Sequence, residues 1–164
     1  PLMKFLLKSV LLAGMALAAG AVQAQSFEAS SRVVQLMLGT GSQLGSTLAT
    51  PPVGFLVENG IANDFLSSGW TLGSSYAVYS AGYRNADGYS HHLAGSARFN
   101  IHFPIWERWD TYAGLGVGVA VFPKLSAGLV ANVGARYALQ GPWSIAAEAG
   151  YGLSWLFVGV GYGL

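Results

Sequence analysis

The sequence predicts an all-β protein, an eight-stranded antiparallel up-and-down transmembrane β-barrel preceded by a cleavable signal peptide. Three observations carry this prediction. The chain of 164 residues is only 9% charged and 52% hydrophobic, whereas a soluble domain carries roughly 25% charged residues. Beyond the N-terminus no apolar run reaches the ~18 uncharged residues a membrane helix needs, because Asp110, Lys124, Arg136 and Glu148 interrupt the later segments and five glycines punctuate Ala149–Leu164. Finally, strand-length segments recur between turn signals, with apolar and polar residues in alternation. A chain this apolar without spanning helices satisfies its backbone in lipid by closing a sheet on itself.

The N-terminal segment is an address. Met3 is the expected initiator, Lys4 and Lys8 form a positive n-region, and Val10–Val22 is apolar. Val22-Gln23-Ala24 then supplies the small residues that signal peptidase requires, so residues 1–24 are expected to be removed after Ala24. Residues 25–164 are long enough for one domain, a single outer-membrane barrel. Without Lys4 and Lys8 that domain holds six basic and seven acidic residues. Such a balance excludes nucleic acid as a partner, since phosphate binding needs a basic surplus. There is no cysteine, so an exported fold must hold by backbone pairing and packing alone.

The expected strands are 31–39, 52–60, 68–82, 92–104, 111–122, 127–139, 143–152 and 155–164. Turn-rich connectors fall at 40–51, 61–67, 83–91, 105–110 and 140–142, with short links near Pro123 and Ser154. Each strand approximates the ~9–11 residues of a tilted membrane strand, and an even number suits a single-chain bacterial barrel.

Alternation assigns the faces. In 92–103, Leu93, Gly95, Ala97, Phe99, Ile101 and Phe103 share one face, and His92, Ala94, Ser96, Arg98, Asn100 and His102 the other. The segments 128–139 and 143–152 repeat the pattern, with Asn132, Arg136 and Glu148 on the polar side. A soluble barrel would turn its charged face to water, but this face is too sparse to coat one. It suits a narrow lumen, with the apolar set toward lipid. Gly114, Gly116 and Gly118, then Gly159, Gly161 and Gly163, fall on the inward face, where they leave room for bulky neighbours and permit tight curvature.

The stretches ARFNIHFPIWERWDTYAGLGVGVAVF and NVGARYALQGPWSIAAEAGYGLSWLFVGVGYGL, with PVGFLVENGIANDF upstream, resemble the small outer-membrane β-barrel domain family of eight-stranded OmpA/OmpX-like barrels. The likeness spans most of residues 52–164 and rests on strand order and spacing. It implies a bacterial outer-membrane location, with outer-membrane lipid and lipopolysaccharide as surroundings and the barrel-assembly machinery as a partner during insertion. It also implies that connectors 61–67, 105–110 and 140–142 face the periplasm while 40–51, 83–91, 123–126 and 153–154 face outside. Members usually end on an aromatic residue, whereas this chain has Tyr162 and then Leu164.

Two groups of residues are candidates for function. Glu58, Arg98, Arg136 and Glu148 all take inward positions, and unpaired charges in a narrow lumen cost several kcal/mol. They are therefore expected to form a lumen charge network, either plugging the barrel or lining an ion path. Trp70, Trp106, Trp109, Trp143 and Trp155 fall near strand ends, where amphipathic rings favour the lipid–water boundary. They are the expected interfacial anchors, with IWERWD (105–110) an aromatic turn. Ser90, His91 and His92 beside Asp87 suggest a metal or hydrolytic site. However, adjacent histidines on a strand point to opposite faces, and no local motif of a Ser-His-acid enzyme is present. No catalytic, cofactor-binding or metal residue is assigned, and no cofactor is expected. The function expected is a structural or adhesion-like surface-interaction role without catalysis, exerted toward an extracellular partner through 40–51 and 83–91. A narrow ion or small-solute pore is the alternative, and a lipid A-modifying enzyme the next.

Overall fold

The computed structural model describes residues 27–40, 47–152 and 155–164, so the expected signal segment 1–24 lies outside the described residues. Eight strands follow in order: β1 Arg32–Thr40, β2 Thr47–Phe65, β3 Trp70–Asn85, β4 Gly88–Trp106, β5 Trp109–Phe122, β6 Ser126–Ala138, β7 Trp143–Tyr151 and β8 Leu156–Gly163. Each pairs antiparallel with the next, and β8 returns to β1, from Val33↔Gly163 to Thr40↔Leu156. The sheet is a closed barrel with no free edge strand. Closure is what lipid demands, because it pairs the backbone donors and acceptors that an open edge would leave bare.

The strand count and order agree with expectation, but several strands are longer than their turn signals suggested. β2 runs through Asn59, Gly60, Asn63 and Asp64 to Phe65, so connector 61–67 contracts to a turn at 66–69. β3 and β4 continue to Asn85↔Gly88, which leaves only Ala86 and Asp87 of connector 83–91 as a turn. Ser90, His91 and His92 are therefore strand residues. Connector 105–110 likewise shrinks to Glu107 and Arg108, with Trp106 opposite Trp109. Polar residues and glycines read as breakers are tolerated here because neighbouring strands supply their backbone partners, and register shifts at Gly60/Ala62 and Pro104/Trp106 absorb the irregularity.

Parity sorts side chains as the alternation predicts. Leu36, Phe55, Val78, Phe99, Leu115, Leu129, Ile145 and Val158, one from each strand, are exposed on the outside. In lipid this is the stable arrangement for an apolar band. Inside, Met37, Leu56, Ala77, Tyr79, Ala146 and Phe157 form a buried apolar cluster. Buried charged and polar groups occupy the rest of the lumen, including Glu58, Arg98, Asn100, His102, Asp110, Arg136 and Glu148. Eight strands enclose a space just wide enough for such side chains to fill.

Candidate functional site: the polar lumen

Register determines which lumen residues can meet. Glu58 on β2 lies opposite Ser75 on β3, which lies opposite Arg98 on β4. One step nearer the N-terminal rim, Asn100 faces Gly114 and then Asn132. A further step brings His102, Tyr112, Gly134 and Glu148 into one row across four strands. Beyond it Asp110 pairs with Arg136. The glycines in these rows take no lumen space, and the large polar side chains from the facing strands fill it.

The four charges expected inside are brought together as two pairs that cross the barrel. Arg98 on β4 reaches Glu148 on β7, with Nη1 3.0 Å from Oε2 and Nη2 3.3 Å from Oε1. This two-point contact matches guanidinium to carboxylate geometry. Arg136 on β6 donates from Nη2 to Glu58 Oε2 on β2. Arg136 is thus paired with Glu58, and Glu148 with Arg98. Every member of the two pairs is nearly inaccessible, from 1% exposed for Glu58 to 6% for the arginines.

Further residues join the pairs into one network. Ser75 Oγ accepts from Arg98 Nε at 3.2 Å and from Asn100 Nδ2 at 3.1 Å, and the same Asn100 amide donates to Glu58 Oε1. The Tyr112 hydroxyl donates to Glu148 Oε1 at 2.9 Å. His102 sits between two carboxylates, with Nε2 3.1 Å from Glu58 Oε1 and Nδ1 2.8 Å from Asp110 Oδ1. With both carboxylates ionised, both ring nitrogens donate, as in the imidazolium form. In that form three positive groups face three negative ones. Arg136 Nη1 lies 3.6 Å from Asp110 Oδ2, a charge contact longer than a hydrogen bond. The guanidinium occupies the place that a cation between Glu58 and Asp110 would take, and among the described residues no group of histidines and carboxylates is arranged to hold a metal.

The sequence pattern does not mark Asp110, His102, Asn100, Ser75 and Tyr112 as members. Asp110 falls among the turn signals of 105–110. The others had the right parity for the lumen, but parity alone does not reveal a partner.

The tryptophans divide between the two rims. Trp70, Trp109 and Trp143 open β3, β5 and β7 at the N-terminal rim. They pack on Phe103, Tyr137 and Tyr162 at centroid distances of 6.1, 5.1 and 4.9 Å. Trp106 ends β4 at the same rim, and Trp155 precedes β8 at the opposite one, both well exposed. Near that opposite rim Ser90 Oγ lies 3.4 Å from His92 Nε2, and the His92 ring stands edge-on to Tyr83. Among the described residues no carboxylate contacts His92, as a Ser-His-acid arrangement would require.

No family model matches this chain, and no curated protein matches it either. Solved structures do. The Yersinia pestis outer membrane protein Ail, in a phospholipid bilayer nanodisc, shares 20% identity with a TM-score of 0.55, over 82% of this chain and 97% of that one. Ail, the attachment invasion locus protein, in complex with the heparin analogue sucrose octasulfate, gives 19% identity and a TM-score of 0.55 over the same shares. A de novo designed transmembrane β-barrel gives 12% identity and a TM-score of 0.53, over 87% of this chain and all 100% of the designed one. What is shared at these identities is the fold. It is the closed eight-stranded transmembrane barrel that the resemblance to small outer-membrane barrels implied.

Proposed function

We propose that this protein is a non-catalytic bacterial outer-membrane barrel whose lumen is closed and whose role is structural or surface-interacting, exerted from its outer rim. One observation carries the reading: both buried ion pairs span the lumen, β4 to β7 and β6 to β2. A conducting path would have to break charge pairs that are shielded from water, and in such a site separating partners is costly.

The height of the wall supports the second half of the reading. β2, β3 and β4 have 19, 16 and 19 residues, against 9 and 8 in β7 and β8. Since ~9–11 residues cross the bilayer, the long strands stand clear of it and carry Arg84, Tyr89 and His91 into the surrounding medium. Ail, the attachment invasion locus protein solved with a heparin analogue, has the same fold, and this supports a contact role here. In this reading the rim bearing both termini is periplasmic and its tryptophans, with Trp155 opposite, are interfacial anchors. Cleavage after Ala24 releases the barrel domain to the assembly machinery, and lipopolysaccharide surrounds its outer half.

Purified protein reconstituted in a planar bilayer is expected to show no steady conductance. A steady ohmic current would overturn the closed-lumen reading in favour of a narrow pore.

A further inference from the structure

The segment preceding β1 does not trail away from the barrel. Phe27 is 7% exposed. Its ring stacks on His102 at 3.8 Å with 17° between planes, and the Arg136 guanidinium lies over it, 5.4 Å from its centroid. An aromatic ring under a guanidinium is favourable because its face carries negative potential. The following residues fold back as a turn in which Ser31 N–H donates to Glu28 C=O at 2.9 Å. That turn is fastened to β2 at two points: Ala29 N–H donates to Asn63 Oδ1 at 2.7 Å, and Gly60 N–H to Ser31 C=O at 2.8 Å. The β2 residue against which the turn lies is Gly60, where an added Cβ would fall on the Glu28 backbone and within 2.8 Å of Ala29 Cα. Below Phe27 and His102 opens a vestibule of about 730 Å³, lined also by Asp64, Thr71, Trp106 and Asp110.

We propose that Phe27–Ser31 is a plug, a short segment outside the sheet that seats one aromatic side chain in the periplasmic mouth and keeps periplasmic water from Glu58 and Arg136 behind it. The inference rests on the closed-lumen reading and identifies what closes that end. The segment is held from outside the sheet, by contacts that include two hydrogen bonds and one ring, whereas the barrel wall is held by continuous ladders. The plug can therefore leave without the barrel opening. Its release would extend the vestibule, which already reaches His102 and Asp110, toward Glu58, and the acceptor atoms on Asn63 and Ser31 would pass to water.

The chain folded in lipid nanodiscs tests this by hydrogen exchange. For Phe27→Ala, exchange at the His102 ring N–H groups and at the Gly60 amide is expected to rise at least tenfold, while the Val78 and Val158 amides stay as protected as before. Unchanged exchange at both His102 and Gly60 would overturn the proposal. So would a uniform rise at all four sites, which would make Phe27 an ordinary core residue of the barrel. Should Phe27→Ala fail to insert, Phe27→Leu keeps most of the volume and loses the ring stack, and the same ratio of rates decides. Conductance of the unmutated protein would refute the closed lumen without altering that ratio.

Discussion

The lumen contains two regions of opposite chemistry. Along β2 the inward residues pass from Glu58 to Leu56, and along β3 from Ser75 to Ala77 and Tyr79. Below the change is the polar network, in which Glu58 alone serves Arg136, His102 and Asn100. Above it is the cluster of Met37, Leu56, Tyr79 and Phe157, where Tyr79 and Phe157 meet at 5.3 Å. Both fill the same narrow space, but they fail differently. An apolar cluster that loses a side chain loses contacts, and its neighbours can partly close the gap. A buried network that loses a partner keeps a charge with nothing to neutralise it. The polar region is therefore the more specific of the two and the less forgiving.

The largest expected effect comes from breaking the polar region at its most connected member. Glu58→Gln leaves Arg136 and His102 short of one negative charge and should cost about 3–5 kcal/mol in reversible urea unfolding from lipid vesicles. Combined with Arg136→Met, the loss should be clearly smaller than the sum of the single losses, because the two side chains are in contact. Glu148→Gln with Arg136→Met should lie much closer to additivity, since Glu148 is paired to Arg98. Strong coupling in the second cycle and none in the first would redraw the network.

The apolar region should respond less. Leu56 is 2% exposed among Met37 and its neighbours, and Leu56→Ala is expected to cost about 2–3 kcal/mol, the low end for such truncations. Met37 is unbranched and can relax into the space. A loss exceeding that of Glu58→Gln would reverse the contrast between the two regions.

Much of this arrangement was legible in the sequence, and the limits have physical causes. A period of two is a strong signal when one face meets lipid, so the inward placement of Glu58, Arg98, Arg136 and Glu148 followed from parity alone. Partner choice did not follow, because Arg98 and Glu148 lie 50 residues apart and meet only through the curvature and stagger of a closed sheet. Asp110 was hidden by its surroundings. Pro104 and the charged pair Glu107-Arg108 mark a turn, yet the strands continue almost to its tip, which puts Asp110 in the ladder opposite Arg136. The same excess weight on turn residues shortened β2, whose Asn63 proves to hold the N-terminal segment. Phe27 gave no sign at all. A lone aromatic ahead of the first strand has no periodicity to place it.

The smallest of the three effects tests whether the polar region is as tightly fitted as its connections suggest. Gly134 on β6 faces Tyr112, and a Cβ added there would lie 2.6 Å from the ring's Cε2 and 2.7 Å from its hydroxyl. A flexible side chain could swing away, but Tyr112 is 1% exposed and held between His102, 5.2 Å from its ring centroid, and the Arg136 guanidinium at 5.5 Å. The ring can yield only by tilting, which draws its hydroxyl off Glu148. Gly134→Ala should therefore cost about 1–3 kcal/mol, as overpacking does in a filled interior, even though alanine suits a strand at least as well as glycine. Adding Tyr112→Leu, which shortens the obstructing side chain, should bring the combined loss below the sum of the separate ones. If Gly134→Ala is neutral, Tyr112 has room to move, and the polar layer is looser than the apolar cluster above it.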